Sequence, residues 1–429
     1  MMDIPEDFLH YVWQFRSFNY SGLATTMGEK IKVISTGLLN KDAGPDFSNA
    51  KIQIGSTIWA GQVEIHLKSS DWIKHHHQND GSYDNVILHV VLEHDEDVVR
   101  NDGSILPVLV LKNRIPQTLL DKYYGLILNL NDFPCKIQVK DVDPLIVDSF
   151  LARVVIERFE LKTTQVFERL AQLKGNWDET FYHFLARNFG FKVNGSPFEL
   201  LAKAIPQHYF ARHKDHPEQI EALVFGAAGF LNDGFKEEYP AKLKKEFEYL
   251  KQKYNIKPIE VSLWKFMRMR PQNFPTLRLA QFAALIVQSN HLFSKVMDVK
   301  DVSELRRLFE NLPVNDYWKH HYHFKKEVED VSVQIGKVSI DNILLNTVAL
   351  FLFAYGKHTA SQFYINRAIQ LLEHLPAENN AVTERFVAAG IKMAHAFTSQ
   401  GILQLKKQYC DQKKCLSCGI GIKILKNEK

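Results

Sequence analysis

The stretch DAGPDFSNAKIQIGSTIWAGQVEIHLKSSDWIKHHHQNDGSYDNVILHVVLEHD, residues 42–95, holds the densest set of reactive side chains in a chain of 429 residues. Within it the segment GQVEIHLK alternates, with Val63, Ile65 and Leu67 set between Glu64, His66 and Lys68. A period of two is the signature of a strand, so the aliphatic residues are expected on the core face and the polar three on the opposite face. Asp46 follows Pro45 near the start of the preceding strand and is expected to meet Glu64 at the sheet edge. Two such carboxylates can hold Mg²⁺ or Mn²⁺, with His66 or Lys68 orienting or deprotonating a water. Glu, His and Lys on one strand face are also what a solvated face looks like, and both readings stand at this point.

Working outward, residues 3–16 read as a helix, with Asp3 as its cap and Pro5 in its first turn. Residues 30–39 are strand-like, and residues 51–54 and 57–68 read as two strands joined by a tight turn at Gly55-Ser56. Residues 71–78 read as one short helix, residues 85–94 as an apolar strand, and Asn101-Asp102-Gly103 as a hairpin turn into residues 105–111. His75 and His77, in the run His75-His76-His77 before Asp80, are candidates for a second metal or phosphate-contacting cluster. The alternative is a plain surface helix end, because no HxxxH spacing is present. His89, inside ILHVV, reads as a core histidine.

Beyond residue 143 helical periodicity dominates, in segments near 144–172, 178–190, 197–213, 216–231, 238–254, 276–296, 301–312, 339–355, 359–374, 382–397 and 400–409. The expected organisation is an α+β chain: an α/β domain over residues 1–115, a connecting segment over 116–143, and a mostly helical domain over 144–429. Three cysteines, Cys410, Cys415 and Cys418, form C-x4-C-x2-C, and Cys135 is the remaining one. Four cysteines in this pattern suggest a metal rather than disulfides: zinc or an iron–sulfur cluster, against the alternative of free thiols. Arg268, Arg270 and Arg278 lie in a proline-punctuated loop entering a helix and are candidate phosphate contacts, set against ordinary salt bridges on a solvated face. The phenylalanines and tyrosine at 181–191 read as core.

A net charge of +4 permits a nucleic-acid partner without requiring one. The longest apolar run, Thr347 to Tyr355, is short for a membrane span, and no leader pattern opens the chain, so a cytosolic protein is expected.

Pro45-Asp46 followed by the strand-borne Glu64-Ile65-His66 resembles the PD-(D/E)xK nuclease superfamily, as does the order helix, three strands, helix, strand. The resemblance implies Asp46 and Glu64 as metal ligands. The lysine of that motif falls on His66, a departure, and Lys68 two positions on is placed to replace it. That leaves open a variant active site or a fold that has lost catalysis. Some members of that superfamily also hold an iron–sulfur cluster on one distant and three clustered cysteines, although here the distant cysteine follows the acidic motif instead of preceding it.

A wider set of runs, among them NKDAGPDFSNA, GQVEIHLKSSDW, ARNFGFKVNGSPFELLA, EALVFGAAGFL, RPQNFPTLRLAQFA and CLSCGIG, resembles an uncharacterised bacterial family, the domain of unknown function 2851. That likeness spans nearly the whole chain and implies no activity. The function expected from the residues is a Mg²⁺- or Mn²⁺-dependent nuclease-like protein acting on DNA or RNA. The alternatives are a non-catalytic nucleic-acid-binding or assembly protein with a structural metal, and a hydrolase of small phosphorylated substrates.

Overall fold

The computed structural model describes residues 4–100, 102–324 and 326–426. Asp3, expected as a helix cap, and Asn101, expected in a hairpin turn, lie outside those residues. Helix α1 runs over Glu6–Gln14, with Pro5 in an extended conformation before it and Glu6 and Asp7 in its first turn, where carboxylates favour the helix dipole. It buries Phe8, Leu9, Tyr11, Val12 and Trp13, and the Trp13 indole N–H donates to Thr36 O at 3.1 Å.

Six strands follow: β1 (Ile31–Ser35), β2 (Leu38–Leu39), β3 (Phe47–Ile54), β4 (Thr57–Lys68), β5 (Val86–Glu93) and β6 (Val108–Val110). They form one sheet in the order β1-β3-β4-β5-β6, with β2 paired to β3. The β1–β3 and β3–β4 pairs are antiparallel, and the β4–β5 and β5–β6 pairs are parallel. The change of sense follows from the connections. A two-residue turn suffices between β3 and β4, and Gly55, at φ +60°, supplies the positive φ such turns require. A parallel pair needs a crossover of a dozen residues or so, and residues 69–85, with the short helix α2 (Asp71–Lys74), provide it.

β3 begins at Phe47, four residues before the expected strand start, because its early residues pair with β2 and with the far end of β4. The short helix expected over 71–78 is α2 followed by a single 3-10 turn, His77–Asn79. Val99 and Ile105 form an antiparallel bridge around the turn at Asp102-Gly103.

The alternation in β4 is present, but its polar face is not solvated. Residues 63–66 are buried without a break: β5 pairs along the whole segment, while the β3 ladder ends at Val63 and side chains take over beyond it. Gly61 marks the point where β4 meets β5: a Cβ there would lie 2.5 Å from Ile87 Cγ2 and 2.7 Å from Asn85 O. Glycine lets the two backbones close up, which sets the register for the site residues that follow.

The chain divides into two units. The first comprises the described residues of 1–150, 384–391 and 405–429, and the second those of 151–383 and 392–404. The C-terminal cysteine segment, expected with the helices, belongs to the first unit. Its packing explains this: Tyr409 sets its ring edge-on to Phe150 at 5.3 Å, and Gly419 approaches the same ring. α3 (Gln117–Ile127) occupies the segment expected to connect the two domains.

The second unit is helical around one large aromatic core that includes Phe181, Phe198, Phe225, Phe282 and Phe351. The expected helix over 197–213 is two helices, Phe191–Ala204 and Gln207–Ala211, because Pro206 cannot continue the first. A small hairpin, His321–His323 with Lys326–Glu327, has no counterpart in the periodicity. The apolar run at 347–355 sits in a 22-residue helix, Lys337–His358, which is long and apolar enough to cross a membrane. Most of its apolar window is buried inside the folded unit, where Val348, Phe351 and Ala354 join the core.

Within that core Trp318 Nε1–H donates to Tyr239 Oη, and Tyr239 O–H donates to Glu221 Oε2 at 3.1 Å. Burial pushes the Glu221 carboxyl up from its ordinary 4.5 to about 7, partly offset by the Tyr239 hydrogen bond. The folded state therefore keeps this proton when the unfolded chain has lost it. Stability is full below the unfolded value and falls as pH rises from about 4.5 to 7. Glu221→Gln removes that loss and keeps the acceptor for Tyr239. The variant is expected to match wild type near pH 4 and to gain on the order of 3 kcal/mol near pH 8, read as a higher Tm across a pH series.

Candidate metal centre

The β3–β4 ladder ends at the pair Phe47/Val63. One step further along the same register Asp46 comes opposite Glu64, and side chains take over from backbone there. Asp46 N–H donates to Glu64 Oε2 at 3.1 Å, and Ile65 N–H donates to Asp46 Oδ2 at 2.9 Å. Each carboxylate thus closes a backbone donor on the opposite strand. The two acidic residues singled out by the sequence are brought together and held.

Glu64 is 4% exposed and His66 is 1% exposed. His66 Nε2 lies 3.4 Å from Glu64 Oε1 and 3.1 Å from His75 Nδ1. His77 Nε2 lies 3.3 Å from the same Glu64 oxygen, but off the line of a hydrogen bond, so this buried nitrogen has no hydrogen-bond partner. One ligand nitrogen from each of His66, His75 and His77 falls within 4.8 Å of the other two.

Local backbone builds this convergence. His76 sits in the left-handed region at φ +62°, which turns the chain between α2 and the next turn. His75 and His77 then both face His66, while His76 is exposed. The His77 ring stacks on Tyr83 at 3.9 Å and meets the Trp72 indole edge-on at 5.4 Å.

Two residues complete the surroundings. His89 Nε2 lies 2.9 Å from His66 Nδ1. With the proton on His66 Nδ1, His66 donates outward and its Nε2 lone pair is left for the cluster, the arrangement found behind metal-ligating histidines. His89 is fully buried, as its apolar sequence context implies, and it also sets the orientation of His66. His10, on α1, places Nε2 at 3.2 Å from Asp46 Oδ2. No spacing in the sequence connects it with Asp46.

Electrostatics follow from burial. Desolvation, with the Asp46 carboxylate beside it, pushes Glu64 up to about 9. Desolvation and the neighbouring His89 and His75 pull His66 down to about 2. His77 is also lowered, by burial and then by His75. Burial pulls His10 down as well, but the Asp46 carboxylate outweighs it and leaves His10 raised. Burial thus favours the neutral forms of Glu64, His66 and His77, and an arriving cation would compensate the cost of charging Glu64.

Three converging imidazole nitrogens, with Glu64 Oε1 3.4 and 3.3 Å from those of His66 and His77, do not suit Mg²⁺, which takes oxygen ligands, whereas they suit Zn²⁺ or Mn²⁺. The orphaned His77 nitrogen fits the same conclusion. Asp46, committed to Ile65 N–H and flanked by His10, stands beside this set.

Lys68 is not brought to the cluster. It is exposed, its N–H donates to Asp71 Oδ2, and its ammonium acts on Glu93 and Asp95. The reason is reach: two residues past His66 the strand has already left the buried segment. Arg268, Arg270 and Arg278 lie in the second unit. Arg278 is buried, bonded to Gln281, Asn273 and Ser339, with Phe191 under its guanidinium at 4.7 Å, so it is not a solvated cation. Arg268 and Arg270 line a pocket with it. Cys135, Cys410, Cys415 and Cys418 are all buried and line one small gap in the first unit.

The family model described as "Protein of unknown function (DUF2851)" matches residues 6–381, and the chain belongs to that family. No curated protein and no solved structure matches the chain.

Titrating metal-free protein with Zn²⁺ or Mn²⁺ is expected to raise the Tm saturably, a stabilisation of about 2.7 kcal/mol at a hundredfold excess over Kd, with Mg²⁺ without effect. His75→Ala and His77→Ala should abolish the gain while leaving the apo Tm nearly unchanged. A Co²⁺ spectrum with d–d bands but no thiolate charge transfer would assign the binding to this site, not to the cysteines.

Proposed function

We propose that this chain is a metal-dependent phosphodiesterase of the nuclease type, with a divalent cation held by Glu64, His66, His75 and His77 and with nucleic acid as substrate. The observation that carries the reading is the convergence of the buried His66, the part-buried His77 and the exposed His75 next to Asp46 and the buried Glu64, at the end of a hairpin whose second strand continues into a parallel crossover. A cation there supplies positive charge for a phosphate oxygen and acidifies a bound water.

The chain's own groups do the remaining work. Glu64 and His66 fix the near side of the site through β4, which packing holds rigid. His75 and His77 come from the crossover and close the far side. Asp46, locked by Ile65 N–H, presents its second oxygen as an acceptor for the attacking water, and His10 holds a proton beside it. Water adds to phosphorus, the ester P–O bond breaks, and the departing oxygen takes a proton. Tyr83 and Trp72 pack on the His77 ring on the crossover side.

A second reading, a non-catalytic nucleic-acid-binding or assembly protein, is favoured by one observation: Lys68 is exposed beyond the buried segment and acts on Glu93 and Asp95, so the motif's lysine has no replacement at the cluster. The two readings separate on cleavage of single- and double-stranded DNA and RNA with Mn²⁺ or Zn²⁺. Cleavage that falls by about 10²-fold or more in Glu64→Ala and His75→Ala, with binding retained, supports the enzyme. Salt-dependent binding with no cleavage by any of the proteins sinks it and leaves the binding role.

A further inference from the structure

The helical unit holds a cavity of about 510 Å³ whose lining carries four cations, Lys192, Arg268, Arg270 and Arg278, and no carboxylate. That volume lies inside the range of roughly 300–1,000 Å³ typical of small-molecule pockets. Two stretches of sequence meet there. Asn194 interrupts the helix Phe191–Ala204 at φ −111°, and its side chain is spent on the next wall of the cavity. Its Oδ1 accepts Lys265 N–H and its Nδ2–H donates to Lys265 O, both at 2.9 Å. This pair of bonds anchors the loop that carries Arg268 and Arg270.

Arg278 is the centre of the site. It is 5% exposed, on the first turn of the helix Pro275–Gln288. A guanidinium has five N–H donors. Three of them go to Gln281 Oε1 at 2.9 Å, Asn273 Oδ1 at 2.6 Å and Ser339 Oγ at 2.9 Å. Phe191, held in the left-handed region at φ +48°, lies under its face at 4.7 Å. Nε is buried with no hydrogen-bond partner. All of these neighbours are neutral, and burial alone pulls the group down to about 10, so it stays charged at neutral pH. A buried cation without a counter-charge and with an unspent donor is costly, and an anion in the cavity offsets that cost.

Two helix starts add to the positive potential. The helices Pro275–Gln288 and Lys337–His358 both begin in the cavity wall, through Pro275 and through Val338 and Ser339. The residues before them, Phe274 and Gly336, cap neither with a side chain. Both helix dipoles therefore favour negative charge at this place.

We propose that this cavity binds the phosphate monoester of a small organic molecule of nucleotide size. Three guanidinium groups and an ammonium match a dianion better than a single carboxylate, and arginine forks suit phosphate oxygens. Phe191 and Phe198 in the same lining offer an apolar wall to a flat organic body. Arg278 is reached only from within the cavity, so a terminal phosphate can meet it, whereas a phosphodiester flanked by sugars on both sides cannot. The site lies wholly within the helical unit and does not rest on the histidine centre.

The test is calorimetric titration of the full chain, with a chelator present so that no cation bridges phosphate to protein. The probes are adenosine monophosphate, phenyl phosphate, inorganic phosphate and adenosine. Both monoesters are expected to bind, inorganic phosphate about tenfold more weakly, and adenosine not at all. Arg268→Gln and Arg270→Gln, at exposed positions, should each weaken monoester binding about tenfold and leave the Tm of the free protein unchanged. Arg278→Gln is expected to abolish binding, but it also strips partners from Asn273 and Ser339, so the exposed pair decides. No monoester binding at millimolar concentration, equal binding of adenosine, or unchanged affinity in both exposed variants overturns the proposal. An oligonucleotide lacking terminal phosphates that binds through the same arginines as tightly as the monoesters overturns it in favour of a nucleic-acid surface. His75→Ala is expected to bind the monoesters as wild type does, and loss of binding there would move the phosphate to the histidine centre and overturn the assignment.

Discussion

The first unit depends on one exchange of hydrogen bonds, in which Asp46 and Glu64 each accept the backbone N–H of the opposite strand where the β3–β4 ladder stops. Two carboxylates facing across a ladder repel, and burying them adds a desolvation cost. The exchange offsets part of that cost with two backbone hydrogen bonds, while His66 and His77 lie 3.4 and 3.3 Å from Glu64 Oε1 and His10 lies 3.2 Å from Asp46 Oδ2. What results is a buried acidic corner in which side chains continue the ladder that the backbone has ended. Such corners are retained at the expense of stability, and they occur where chemistry or binding needs them.

Much of this corner is legible in the amino-acid sequence. Proline followed by aspartate places Asp46 at a strand start, and the alternation of GQVEIHLK puts Glu64 and His66 on one face. What the alternation does not convey is what covers that face. A period of two is the same for a strand facing water and for one buried under a crossover, and the difference depends on β5 pairing in parallel, which is settled by residues 69–85. His75 and His77 lack a recognised spacing because their relation is made by one left-handed residue, His76, and not by helical periodicity. His10 comes from an element whose own pattern explains it fully as a packing helix. Lys68 is the opposite case: correct period and correct face, but beyond the end of the buried segment.

The helical unit is legible as a set of helices and less so at their ends. Pro206 divides one expected helix, and Ser289 to His291 divide another into Pro275–Gln288 and Leu292–Asp298. Its buried chain of Trp318, Tyr239 and Glu221 has no sequence signature, since each member sits on a different element and looks like an ordinary helix residue. Polar groups of this kind fix which helices are neighbours, because an unpaired partner in an aromatic core is expensive.

The first unit is discontinuous, closed by residues 405–429 after some 250 residues of the other have been made. On a ribosome, where domains form as they emerge, this imposes an order of events. The sheet and its acidic corner emerge first, but the turn bearing Cys135 must wait, unpartnered, until Cys418 has been synthesised. The second unit, contained almost wholly between those points, can finish folding in the interval. The packing of residues 405–429 against the turn at Cys135 thus follows the synthesis of the whole second unit.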